Sequence, residues 1–409
     1  MDVIVRNARL RHRAELADVG ISGGRIVRID GRIPDRAAAE LDAGGGLVTP
    51  ALVEPHIHLD KALTADRAPE NPTNFFEDSI AIMREVKRHY TVDDVAARAT
   101  DVIHRLVGHG VTFVRSYVDV DSIVDLVALE GVLAARARCR ALAHVEIIAF
   151  PQEGLLCDPD TDERLRKALE RGADVVGGMP FAELDDDDAR RHTDLVFELA
   201  RRFDRDIQMH VDETDDPGAR TLHYYAVKAL REAWTGRVTA DHVTALAAYD
   251  ATYAARVIGL VARAGMSVVT LPTKLMRGGI RDREPRRRGI TRVRELLAAG
   301  VNVAYGQDVI QDGFIPVFGT GDPLQVGFLL AFAAQLSTRR DIETLYDMAT
   351  VNGARLMRLR DYGLDVGRRA DLVVIAAPSV QEAYRTQAAR RAVIHDGRIV
   401  ARDGQVVAS

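Results

Sequence analysis

The stretch Glu54-Pro55-His56-Ile57-His58-Leu59-Asp60-Lys61 follows a glycine cluster, Gly44 to Gly46, and a mostly apolar run from Leu47 to Val53. That run is short, holds several β-branched residues and is bounded by turn formers, so it reads as one buried strand ending at the two histidines. Side chains two apart in a strand point to the same side. His56 and His58 can therefore offer two imidazole nitrogens to one ion. Taken alone, they can equally be two unrelated polar residues at a strand end, and the rest of the chain has to decide.

Downstream, strand and helix patterns alternate. Candidate strands are Val53 to His58, Val111 to Asp119, His144 to Phe150, Ala173 to Met179, Asp206 to Val211, Val238 to His242, Met266 to Leu271 and Val301 to Asp308. Helical stretches lie between them. Val92 to Leu106 is opened by Thr91 with Asp94 three residues on, a capping-box-like start. Ala189 to Arg202 is another, and Arg292 to Ala299 is opened by Thr291 and closed by Gly300. Eight such strands over roughly 300 residues predict an α/β fold, a (β/α)₈ TIM barrel. A doubly wound open sheet is the alternative, and no Gly-x-Gly-x-x-Gly fingerprint follows the first strand to support it.

The two ends of the chain have a different texture. Val3 to Val5, Val19 to Ile21 and Arg25 to Ile29 look like short strands, as do Asp371 to Ile375, Ala392 to Ile394 and Arg398 to Ala401. Each end is too small to build a stable sandwich alone. Residues 1–48 and 361–409 are therefore expected to form one small β-sandwich domain, with 49–360 as the barrel.

Composition narrows the function classes. The 409 residues are 47% hydrophobic and 28% charged, with a net charge of -5, which disfavours nucleic acid as a partner. The basic run Arg283 to Arg288 is interrupted by Glu284 and Pro285 and reads as a solvated loop. Cys139 and Cys157 form neither a disulfide framework nor a Cys-x-x-Cys pair. There is no signal-peptide pattern at the start and no run long enough to span a bilayer, so a cytoplasmic protein is expected.

In such a barrel, chemistry sits at the C-terminal ends of strands. Four of these ends carry metal-ligand types: His56 and His58 at the first, His210 with Glu213 at the fifth, Asp241-His242 at the sixth, and Asp308 at the eighth. Three imidazoles and one carboxylate suit Zn²⁺ or Fe²⁺ better than Mg²⁺ or Ca²⁺. The set His56, His58, His210 and Asp308 fits best as ligands, with a water completing the site; such an ion lowers the pKa of its water and supplies hydroxide. Glu213 and His242 are left for proton work and orientation. His104, His109, His144 and His223 read as surface or core residues.

With these residues assigned, the chain resembles the amidohydrolase superfamily, and within it the cytosine deaminase branch. Glu54 to Asp60 is similar to the family's first-strand metal motif. Phe150-Pro151-Gln152-Glu153-Gly154 resembles a substrate-loop motif, and His210-Val211-Asp212-Glu213 a motif joining a ligand to a catalytic glutamate. Ala240 to Ala245, Arg287 to Val293 and Gly306 to Asp308 match as well. The resemblance implies a barrel with a sandwich built from both termini, and a homo-oligomer. It also implies a mononuclear site, because Val175 to Phe181 lacks the lysine of binuclear relatives. In the implied roles Glu213 shuttles a proton to a ring nitrogen, His242 hydrogen-bonds the hydrolytic water, Asp308 is ligand and proton acceptor, and Gln152 contacts substrate.

Departures from the pattern bear on substrate. Gln307 and Val309 flank Asp308 where a His and a second Asp are common, Phe314 stands where a tryptophan is usual, and Ser116-Tyr117 replaces a Thr-His pair. The loop Pro272 to Gly279 lacks the expected asparagine and Gln-Gly-Arg pattern. Lys61 looks more like the branch that hydrolyses N-alkyl aminotriazines, the isopropylammelide amidohydrolases. Lys61, Lys274, Arg277 and Arg281 together suggest a substrate with negative charge. The expected activity is hydrolysis of a C–N bond in a small cyclic nitrogen compound. Alternatives are an N-alkyl aminotriazine amidohydrolase, a cyclic amide hydrolase, or a catalytically silent scaffold of the same fold. A zinc-thiolate base deaminase is disfavoured, because neither cysteine has a Pro-Cys-x-x-Cys context.

Overall fold

The N-terminal segment folds as five short strands: β1 (Val3–Leu10), β2 (Ala17–Ser22), β3 (Arg25–Asp30), β4 (Ala39–Asp42) and β5 (Leu47–Pro50). The computed structural model describes residues 1–72, 76–273, 289–314 and 318–407. The apolar run from Leu47 to Val53 is not the single strand expected from sequence. It breaks at Ala51, and β6 (Leu52–His58) starts after it. The reason is a change of hydrogen-bonding partner: Ala51 N–H donates to Asp371 O, whereas Leu52 N–H donates to Gly110 O.

β6 opens a parallel sheet that continues through β7 (Val111–Asp119), β8 (His144–Phe150), β9 (Val175–Val176), β10 (Asp206–Val211), β11 (Val238–His242), β12 (Ser267–Thr270) and β13 (Asn302–Tyr305), each paired with the next. Four of the eight have the bounds read from sequence. β9 is cut to two residues because Gly177 and Gly178 leave the regular ladder, although His210 N–H still reaches Gly178 O at 3.0 Å. Four C-terminal strands follow, β14 (Leu372–Ile375), β15 (Arg390–His395), β16 (Arg398–Arg402) and β17 (Gln405–Val406). They join the N-terminal strands in one sheet, with β5 antiparallel to β14.

Helices cover the outer face of the barrel. Thr91 caps Val92–Gly108 by accepting from Asp94 N–H at 3.2 Å, as its sequence predicts. The helix Val293–Ala298 has no such cap: Thr291 is buried outside it, and the side chain of the flanking Arg292 instead reaches the carbonyls of Leu246 and Tyr249 at 2.9 and 2.7 Å.

The barrel closes at the rim that carries the histidines. Asp308 N–H donates to His56 O and His58 N–H to Asp308 O, both at 2.9 Å, in a parallel bridge between Ile57 and Asp308. Beneath this seam lies the Glu54 side chain, which accepts from His56 N–H at 3.0 Å and Gln307 N–H at 3.1 Å. Burial pushes the Glu54 carboxyl up to about 8. Gly306 is required here, since a Cβ would stand 2.7 Å from Glu54 Oε1 and 2.8 Å from His56 O. Gly306→Ala is expected to lose about 1–3 kcal/mol in urea unfolding; an unchanged midpoint with full metal content would show that the seam has slack.

Candidate metal and catalytic site

His56 and His58 lie two apart in β6 and face the barrel interior together. Nε2 of His56 is 3.3 Å, and Nε2 of His58 3.5 Å, from Asp308 Oδ1. His210, at the end of β10, brings its Nε2 within 3.3 Å of the His58 Nε2. These four residues are buried and offer ligand atoms that all lie within 4.8 Å of one another. The donor set of three imidazoles and a carboxylate fits a borderline divalent ion. His56 Nε2 makes no hydrogen bond among the described residues, although it is fully buried and aimed at this cluster. A nitrogen so placed meets the requirement of a metal ligand better than that of a core residue.

Among the non-glycine residues with left-handed backbone are His242 (φ 65°) and Asp308 (φ 64°). Neighbours in a strand face opposite sides. The turn at His242 breaks that rule, so Asp241 and His242 both reach the site. His242 Nδ1 lies 3.6 Å from Glu213 Oε1, and His210, Glu213 and His242 form a second, overlapping cluster. Glu213 is itself delivered by Asp212 (φ 49°), whose carboxylate accepts from Thr221 and Leu222 N–H at the start of the helix Thr221–Arg231. Left-handed backbone of this kind costs on the order of 1–3 kcal/mol per residue and persists where surrounding contacts impose it.

Behind the ligands runs a buried polar chain that sequence reasoning did not find. Asp241 Oδ2 accepts from His56 Nδ1–H at 2.5 Å, Tyr117 O–H at 2.7 Å and Gln208 Nε2–H at 2.7 Å. Gln208 Oε1 accepts from Arg115 at 3.0 Å, and Arg115 is paired with Glu146. Burial disfavours a charged His56 ring, and the neighbouring Asp241 and Asp308 carboxylates act in the opposite direction. His210 is driven the other way, well below the ordinary value, by burial and by the surrounding imidazoles. Tyr117 and Phe150 pack ring to ring on His210, each with centroids 4.4 Å away. The available signal for Asp241 and Tyr117 was strand parity, which sends every second residue of β7 and β11 inward.

His58, Lys61, Gln152, Met179, His210, Glu213, Asp308, Val309 and Phe314 line one small cavity. Of the residues read from sequence as substrate contacts, Lys61, Gln152 and Phe314 are thus brought together. Lys274, Arg277 and Arg281 lie outside the described residues, as does the run Arg283 to Arg288. A wider cavity of ≈ 550 Å³ shares Gln152 and Met179 with the first and opens outward past Arg84, Cys157 and Leu184. Where a ligating imidazole ordinarily has an acceptor behind it, His58 has the Lys61 ammonium 3.2 Å from Nδ1. His104, His109, His144 and His223 do not belong to either cluster.

Asp241→Asn removes the carboxylate that orients His56. Metal affinity, measured by competition with a chelator, is expected to fall by about 10- to 100-fold while the fold is retained. Unchanged affinity would mean that the buried chain serves packing alone.

The geometry agrees with comparisons to known proteins. Residues 64–407 match the model of the amidohydrolase family. The N-isopropylammelide isopropyl amidohydrolase of Pseudomonas sp. (strain ADP) is 33% identical over 100% of this chain and 99% of its own length. The pterin deaminase of Rhizobium rhizogenes is 30% identical over 94% of this chain and 89% of its own. The crystal structure of 5-methylcytosine deaminase from Klebsiella pneumoniae with 5-fluorocytosine superposes with a TM-score of 0.93 at 35% identity, covering 98% of this chain and 97% of that one. The chain therefore belongs to the amidohydrolase family, and is a hydrolase of carbon–nitrogen bonds in a family that works with a divalent metal ion.

Proposed function

We propose that this protein removes ammonia or an amine from a sp² carbon of a small, cyclic nitrogen compound, in the manner of a cytosine deaminase. The observation that carries this reading is the convergence of His56, His58, His210 and Asp308 on one point, with Glu213 lining the same cavity and His242 beside Glu213. The relatives support the class, since their names span an aminotriazine amidohydrolase and two deaminases.

Zn²⁺ or Fe²⁺ would be held by His56, His58, His210 and Asp308, and when bound would supply an activated water and compensate developing negative charge. The residues of the chain do the rest. Asp308 accepts a proton from the attacking water, and His242 orients that water. Glu213 delivers a proton to the ring nitrogen, so that the electron pair displaced from the C=N bond is neutralised as the tetrahedral centre forms. The leaving nitrogen then departs protonated, and the carbon becomes a carbonyl. Gln152 and Phe314 bound the ring.

Glu213→Gln is expected to keep its metal and lose on the order of 10²- to 10⁴-fold in rate. Near-normal turnover would remove the proton-shuttle role. Elemental analysis of the purified protein should find Zn or Fe. A panel of cytosine, isocytosine, creatinine and N-alkyl ammelides, assayed for ammonia or amine, tests the reaction, and a ring-opened acid product would point to a cyclic amide hydrolase instead.

We also infer a homo-oligomer. The helix Pro323–Ala333 supports it, because Phe332 is 71% exposed and packs edgewise on the exposed Phe328, with centroids 4.9 Å apart. Light scattering should give a multiple of the chain mass, and Phe332→Glu should reduce it; a monomer in wild type would refute the assignment.

A further inference from the structure

Lys61 is almost wholly buried, and two side-chain oxygens and one imidazole nitrogen lie around its ammonium. Gln152 Oε1 is 2.7 Å from Nζ, Asp119 Oδ1 is 2.7 Å away as an ion pair, and His58 Nδ1 is 3.2 Å away. An ammonium has three N–H groups and no lone pair. The Gln152 oxygen takes one of these N–H groups and the Asp119 carboxylate balances the charge, so the ammonium is already engaged within the protein. The role expected from sequence, direct contact with an anionic substrate, does not follow from this placement.

The same contacts fix the other partner. Only an oxygen can sit 2.7 Å from an ammonium in a hydrogen bond, so the orientation of the Gln152 carboxamide is set by Lys61 rather than by substrate. Its Nε2 faces Met179 Sδ at 3.0 Å, and sulfur is a weak acceptor. One of the two amide N–H groups has no acceptor among the described residues, and Gln152 lines the cavity. Lys61 is anchored in turn. Asp119 also pairs with the buried Lys87 at 3.2 Å, and Lys87 with Asp121 at 2.5 Å and Glu153 at 2.7 Å. Glu153 is the chain neighbour of Gln152, so this ion cluster grips both the lysine and the loop that carries the amide.

We propose that Lys61 is a positioning residue that locks the Gln152 carboxamide with its oxygen turned away from substrate, so that the site selects ring edges made only of hydrogen-bond acceptors. The substrate class is a heterocycle presenting a carbonyl beside an unprotonated or ionised ring nitrogen. A free glutamine would pair with a lactam edge, accepting its N–H and donating to its C=O. The locked one cannot accept. This inference rests on the hydrolytic reading only in taking the cavity as the substrate site.

The test is calorimetric binding of uracil and 6-azauracil to the metal-loaded protein, with no turnover required. The two rings have nearly the same shape, but the ring N–H of 6-azauracil is the more acidic, so a pH exists at which it alone is an anion with an acceptor-only edge. Wild type should bind 6-azauracil about 10- to 100-fold more tightly, the worth of one hydrogen bond to a charged group. Gln152→Leu keeps the Lys61 charge and should reduce the preference to a few-fold, as should Lys61→Met. Retention of the full preference by Gln152→Leu would overturn the proposal, because charge alone would then account for it. Equal affinity in wild type, or no binding of either ligand, overturns it as well. Unfolding midpoint and metal content confirm that each variant is intact, and if Lys61→Met does not fold, Gln152→Leu decides alone. A protein that shows the preference yet releases neither ammonia nor amine from any heterocycle keeps this inference and loses the hydrolytic reading. Turnover without the preference does the reverse.

Discussion

A single buried oxygen, Asp241 Oδ2, takes hydrogen bonds from an imidazole, a phenol and an amide. Removing a carboxylate from water costs several kcal/mol, and the cost is offset only if its lone pairs are well used. Here they come from β6, β7 and β10, so the carboxylate of β11 ties four strands of the barrel together around one point. It also decides which nitrogen of His56 carries the proton. With Nδ1–H pointing at Asp241, the Nε2 lone pair is left directed at His58, His210 and Asp308. The packing of the barrel interior and the chemistry of its rim thus depend on the same group.

Much of this was legible in the sequence. The eight-strand alternation, the residues at the ends of β6, β10, β11 and β13, and the contribution of both termini to a second sheet all follow from periodicity and turn chemistry. What was not legible depends on partners distant in the chain. The break at Ala51 is invisible in an apolar run, because a strand that changes neighbours keeps its pattern. Asp241 looked like half of a ligand pair, and its work as an orienting group appears only once His56, Tyr117 and Gln208 are set around it. The cap at Thr291 failed for a similar reason: local preference was overruled by burial of the threonine.

The rim also shows how charge is handled in a dry site. Lys61 and Lys87 are held among Asp119, Asp121 and Glu153, beside the aromatic faces of Phe150 and Phe314 at 5.3 and 5.6 Å from the Lys61 ammonium. Alternating charges of this kind leave little freedom to any one member. That rigidity lets a lysine act through a neighbouring amide, a role no motif comparison assigns, because motifs record which residues are present and not which donors are already taken.

The partner change at Ala51 has a consequence for biosynthesis. β5 pairs with β1 on one side and β14 on the other, so Val48 has to wait for Val374 to complete its pairing. His58 likewise waits for Asp308. The strand that bears the first two histidines emerges early from the ribosome and β7 follows soon after, yet Asp308, which closes the barrel on its other side, is made much later. Contacts of such sequence separation form late, after their loop-closure entropy has been met. A nascent chain therefore carries these histidines for much of its synthesis before the residue that completes their cluster has been made.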